Sequence, residues 1–71
     1  MEDGRKQPRK TNGSKIAELR IAKGLTQQQL ADLIGARGDQ ISRWERGVFD
    51  PKTIILIKIA KALDVSIEDL L

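Results

Sequence analysis

The chain has 71 residues, with 13 basic and 10 acidic side chains and neither Cys nor His. A domain this small buries only about 60% of the surface its unfolded form exposes, so its core must be compact. The missing residue types exclude disulfide stapling, thiolate chemistry, the usual zinc ligand sets and imidazole acid–base catalysis.

The net charge of +3 is unevenly placed. Residues 1–15 carry Arg5, Lys6, Arg9, Lys10 and Lys15 against Glu2 and Asp3, while the basic and acidic side chains of residues 16–71 cancel. The leading "MEDGRKQPRKTNG" has almost no apolar side chains and no periodicity. Residues 1–13 therefore read as a flexible basic arm, either a solubilising tail or an arm that binds a polyanion through Arg5, Lys6, Arg9 and Lys10. No apolar run approaches the ~18 residues of a membrane span, and no signal-peptide core opens the chain. The simplest expectation is a soluble, cytoplasmic protein.

From residue 14 onward the expectation is one all-α domain, a compact five-helix bundle without strands. "SKIAELRIAKG" spaces Ile16, Leu19 and Ala22 by three and stops at Gly24. "TQQQLADLIG" opens with Thr26 and has Gln29 three residues later, a capping-box pattern, with Leu30, Ala31 and Ile34 on the buried stripe and Gly35 at the end. "ARGDQISRWERG" supplies a third helix ending at Gly47. "DPKTIILIKIAKAL" supplies a fourth, with Pro51 tolerable in its first turn. "SIEDLL" starts a fifth at Ser66, with Glu68 and Asp69 where negative charge suits the helix dipole. The carboxylates and serines are all accounted for as caps, surface charges or ion pairs. They form no catalytic constellation, and no motif points to a cofactor, a metal or a small-molecule substrate.

The second and third helices carry the informative spacing. Ala31 is small where a following helix would cross closely, and Gly35 can take positive φ in the turn. Ile41 and Trp44, three apart, anchor the inner face of the next helix. Each feature is common alone; all of them in register point to a helix-turn-helix. Residues 14–71, through "ELRIAKGLTQQQLADLIG", "ISRWERG" and "KIAKALDVSIEDLL", resemble the DNA-binding domain of the Xre family, the phage lambda-repressor and Cro-like proteins. The resemblance implies that the helix around residues 38–45 enters the DNA major groove, and that the preceding helix presents Thr26 and Gln27 to a phosphate. A helix N-terminus with free N–H groups is suited to that second task.

With that fold, the outward side chains become candidate contacts. Arg43 can bridge guanine O6 and N7, and Gln40 can pair with adenine or bond a phosphate. Ser42 shares the outward face, Arg37 stands at the entry, and Arg46 fits a phosphate where the helix ends. The family often has Ser or Thr where this chain has Arg37, and a long polar side chain where it has Gly38. The glycine would let the helix approach the bases closely. Asp39 has three readings: stabiliser of the first turn, true N-cap of a later-starting helix, or acceptor from cytosine N4. Stabilisation ranks first, because phosphates repel a bare carboxylate. The resemblance also implies a structural ion pair between Arg20 and Glu45.

One recognition helix reads few bases, so a homodimer on a two-fold operator is expected, with half-sites one helical turn apart. Ile54, Val48, Phe49, Leu70 and Leu71 are the apolar residues expected to be left for such a contact. The expected function is sequence-specific binding of double-stranded DNA by a small repressor or autoregulator, nucleoid-associated when bound. The competing reading is a protein-interaction module on the same fold, such as an antitoxin or coactivator-like adapter.

Overall fold

The computed structural model describes residues 11–71. The basic residues assigned to the arm, Arg5, Lys6, Arg9 and Lys10, lie outside them. Four α-helices follow in order: α1 (Gly13–Ala22), α2 (Gln27–Ile34), α3 (Gly38–Glu45) and α4 (Thr53–Leu63). A 3-10 turn, Ile67–Leu70, closes the fold, and no strand occurs among the described residues.

The expected fifth helix is therefore a single tight turn. Four residues cannot offset the nucleation of an α-helix, so the segment closes with shorter-range bonds, Asp69 N–H to Ser66 O at 3.0 Å and Leu71 N–H to Glu68 O at 3.2 Å. Two other boundaries differ from expectation. Pro51 lies before α4 rather than in its first turn: Lys52 is the N-cap, with extended backbone, and Pro51 itself is buried. Further, α1 begins inside the segment read as an arm. Asn12 caps it, its Oδ1 accepting from Lys15 N–H at 3.2 Å, and its own N–H reaches Leu70 O at 2.7 Å.

The core is wholly aliphatic. Ile16 of α1, Leu30, Ala31 and Ile34 of α2, Ile41 of α3, Leu56, Ile59, Ala60 and Leu63 of α4, and Leu70 are all buried. Fully burying such a side chain contributes about 1.5–3 kcal/mol, so these few residues carry most of the stability. The α2 stripe is the one its periodicity predicts. On α1, Leu19 is half-buried but Ala22 is exposed, because a three-residue step drifts by about 60° against the helical repeat. Leu70, expected among the uncovered residues, is fully buried, and Leu71 is half-buried. The bond from Asn12 draws that turn against the start of α1. Val48, Phe49 and Ile54 are exposed.

Candidate nucleic-acid interface

The site is built on the α2–α3 pair. Thr26 has extended backbone and its Oγ1 accepts from Gln29 N–H at 3.0 Å. Gln29 Oε1 in turn accepts from Thr26 N–H at 2.8 Å. Both halves of the capping box are thus present, which fixes where α2 starts. At its other end Gly35 takes φ 73°, a left-handed conformation that a side chain would resist. Ala31 and Ile41, both fully buried, let the helices close on each other across that turn.

A second device locks the angle of α3. Arg20 Nε donates to Glu45 Oε2 at 2.6 Å and Nη2 to Oε1 at 3.2 Å. Its Nη1 donates to Leu25 O at 2.8 Å. Gln27 Nε2 completes the set, donating to Glu45 Oε1 at 2.9 Å. The two charged side chains are only 12% and 6% exposed, although each residue as a whole is half-buried. It is the charged ends that leave water, and their desolvation governs the energetics of the pair. One bidentate pair thereby joins the end of α1, the turn after it, the start of α2 and the end of α3. The Gln27 side chain faces inward to Glu45, while its backbone N–H lies in the first turn of α2, the end expected to meet a phosphate.

The outer face of α3 carries a different cluster. Arg37 is the N-cap and its side chain has no acceptor, so only the reciprocal half of a capping box is made, Gln40 Oε1 accepting from Arg37 N–H at 3.0 Å. That bond uses one lone pair of the Gln40 carbonyl and leaves the second, with the Nε2 amide, for a base or a phosphate. Asp39 lies in the first turn, which rules out its reading as the N-cap of a later helix. Its carboxylate receives Arg37 Nε at 3.1 Å on Oδ1, and Arg43 Nη1 at 3.1 Å on Oδ2. The hydrogen bond from Arg37, aided by the charges of Arg37 and Arg43, holds the Asp39 carboxyl below the ordinary carboxylate range, and the same contact raises Arg37. Arg46 Nε donates to Ser42 Oγ at 3.3 Å, which brings those two residues together at the exit of the helix.

Gly38 stands against α2. A Cβ there would lie 2.8 Å from Gln28 Oε1, the far end of a flexible side chain of α2. The glycine seats the start of α3 on Gln28. Gly13 is the residue that sequence reasoning missed. A Cβ on it would overlap Trp44 O and come within 2.6 Å of Glu45 O, both backbone atoms at the end of α3. No local signal marks this, because both partners are remote in sequence; its place in a polar run concealed it.

A four-helix array with α2 and α3 packed across a left-handed glycine turn is a lambda-repressor-like helix-turn-helix domain. The family model described as helix-turn-helix matches residues 4–70, and the chain belongs to that Xre-type family. Among its relatives, an uncharacterised HTH-type transcriptional regulator of Rickettsia conorii is 41% identical over 56 residues, which is 79% of this chain. The chain spans 45% of that relative's length. The restriction-modification controller protein C.AhdI of Aeromonas hydrophila superposes with a TM-score of 0.79 at 37% identity, covering 83% of this chain and 86% of that one. The P22 c2 repressor in complex with a synthetic operator gives 0.82 at 30% identity, covering 89% and 96%.

Proposed function

We propose that this chain binds double-stranded DNA sequence-specifically as a small transcriptional regulator, with α3 in the major groove. The observation that carries the reading is the placement of Arg37 and Arg43 on the exposed side of a short helix whose opposite side is locked by Ile41 and the Arg20–Glu45 pair. A rigid helix presenting guanidiniums is suited to guanine edges. The operator complex of the P22 c2 repressor supports the same use of this fold. In this reading Arg43 and Gln40 face bases. Thr26, Gln27 (through its backbone N–H), Arg37, Ser42 and Arg46 face phosphates.

The exposed Val48, Phe49 and Ile54 make a homodimer on a two-fold operator the natural arrangement. Repression or autoregulation from the cytoplasm is the regulatory outcome this implies; among the described residues no helix is long and apolar enough to cross a membrane. Arg5, Lys6, Arg9 and Lys10 extend the basic surface. If three of them each neutralise a phosphate, removing residues 1–10 flattens the slope of log K against log salt by ~2.7 per monomer. The same exposed apolar residues favour a second reading, in which the domain is a protein-interaction adapter.

In-vitro selection of bound sites from random duplexes separates the two. A two-fold motif with half-sites about 10 base pairs apart is the expected result. Salt-sensitive binding without any motif would instead point to the adapter.

A further inference from the structure

Arg37 and Arg43 do not stand alone on the outer face of α3. Asp39 lies between them and engages both: Arg37 through Nε at 3.1 Å and Nη2 at 3.4 Å, Arg43 through Nη1 at 3.1 Å. Resting on the DNA-binding reading above, we propose that Asp39 is a specificity-determining positioning residue, an anionic bracket, held by Arg37 from the cap side, that steers Arg43 away from phosphates and toward a base edge.

The argument starts from charge. A bare guanidinium is attracted to every phosphate of a duplex, and such contacts carry no sequence information. A carboxylate already bonded to that guanidinium repels an incoming phosphate, while the O6 and N7 of guanine are uncharged acceptors and meet no such penalty. The bracket therefore disfavours indiscriminate binding more than it disfavours base contacts. Exposed pairs of this kind add little to folding, as the 73%, 50% and 45% exposure of the Arg37, Asp39 and Arg43 side chains requires. Their effect falls on recognition instead.

Geometry supports the steering. Only Nη1 of Arg43 is used by Asp39, and its Nε and Nη2 hydrogens have no protein acceptor among the described residues. The guanidinium is oriented at one corner and open along another edge, which is what a bidentate guanine contact needs. The pair also spans residues i and i+4, so the helix itself sets its register. Because Asp39 stays ionised below the usual carboxylate range, the bracket persists throughout the pH range of DNA-binding measurements.

The test uses the intact chain, a duplex carrying the selected motif and a scrambled duplex, titrated from 50 to 300 mM KCl. Replacing Asp39 by Asn uncovers one net positive charge, and one added phosphate contact steepens the salt slope by about 0.9. Near 0.1 M salt the scrambled duplex is then bound about 5- to 10-fold more tightly. The motif duplex gains less, so the ratio between the two falls severalfold. Asp39→Glu keeps a carboxylate at the same i,i+4 spacing and restores most of the ratio, which a purely structural role of Asp39 does not predict. Thermal melts of both variants establish that they are folded, and Asp39→Ser provides a second neutral variant if Asp39→Asn is not.

Equal gains on both duplexes, or an unchanged salt slope, would overturn the bracket while leaving DNA binding intact. A changed base at one motif position with no gain on the scrambled duplex would also overturn it, and would make Asp39 a base reader. Absence of any preference in the parent chain for the selected duplex would overturn the DNA-reading function and the bracket with it.

Discussion

Two arginine–carboxylate clusters, one on each side of α3, use the same chemistry in opposite surroundings. On the inner side Arg20 and Glu45 meet at 2.6 Å with their side chains almost out of water. On the outer side Arg37, Asp39 and Arg43 meet at 3.1 Å with side chains 45–73% exposed. Desolvation makes the difference. Inside, each charge has given up its hydration, so losing one partner strands the other; outside, water replaces a lost partner at almost no cost. The inner cluster can therefore set the pose of the helix, and the outer one is left to meet a ligand.

The largest test of this contrast is Arg20→Ala. We expect it to lower the unfolding free energy by ~3–5 kcal/mol, a large share of what a domain this small possesses. Replacing both partners together, Arg20→Met with Glu45→Leu, is expected to cost less than the single change, since no charge is stranded. Urea denaturation of the three proteins decides it. Equal stability of Arg20→Ala and the parent would break the comparison.

Next in size is Gly13→Ala, where the added methyl meets backbone carbonyls at the end of α3. Overpacking of this kind costs about 1–3 kcal/mol. It should also reduce DNA affinity, because the end of α3 must shift. A melt that matches the parent would show that α1 can move away freely.

Arg43→Ala turns to the outer side. Stability should change by no more than about 0.5 kcal/mol, while discrimination at one position of the selected motif falls by ~1–3 kcal/mol. Competition binding with single-base variants reads the loss. A uniform loss on every duplex would reassign Arg43 to a phosphate.

The smallest effect is on pH dependence. Asp39 has a lowered pKa in the folded chain, so whatever it adds to stability is fully present above its unfolded pKa. That contribution is lost as pH falls through the lowered folded value. Arg37 is raised and stays charged throughout, so it contributes no change in this window. The stability difference between the parent and Asp39→Asn should therefore hold steady from neutral pH to the carboxylate range and converge only in stronger acid. Convergence already near pH 6 would contradict the assignment.

What was legible in the sequence follows a pattern. The capping box of Thr26 and Gln29, the buried stripe of Leu30, Ala31 and Ile34 and the left-handed turn at Gly35 all depend on residues within a few positions of one another. Asp39 and Arg43 were within the same reach, since i and i+4 share a helix face, yet the bracket also needs Arg37 at a non-helical cap. Gln40 shows the limit of reading residue types: a side chain read as a base or phosphate contact also accepts from the Arg37 N–H, a local task its residue type does not announce.

By itself the sequence determined the class of the fold, the register of α2 and α3 and the residues available on the outer face, because periodicity, caps and turn glycines act locally. Tertiary structure alone decided the rest. It brought Gly13 against the carbonyls of Trp44 and Glu45, turned Gln27 inward to Glu45, seated Gly38 on Gln28 and buried Leu70 beneath the start of α1. Each of these depends on atoms far apart along the chain, whose meeting is settled only when the apolar faces of all the elements close on one core.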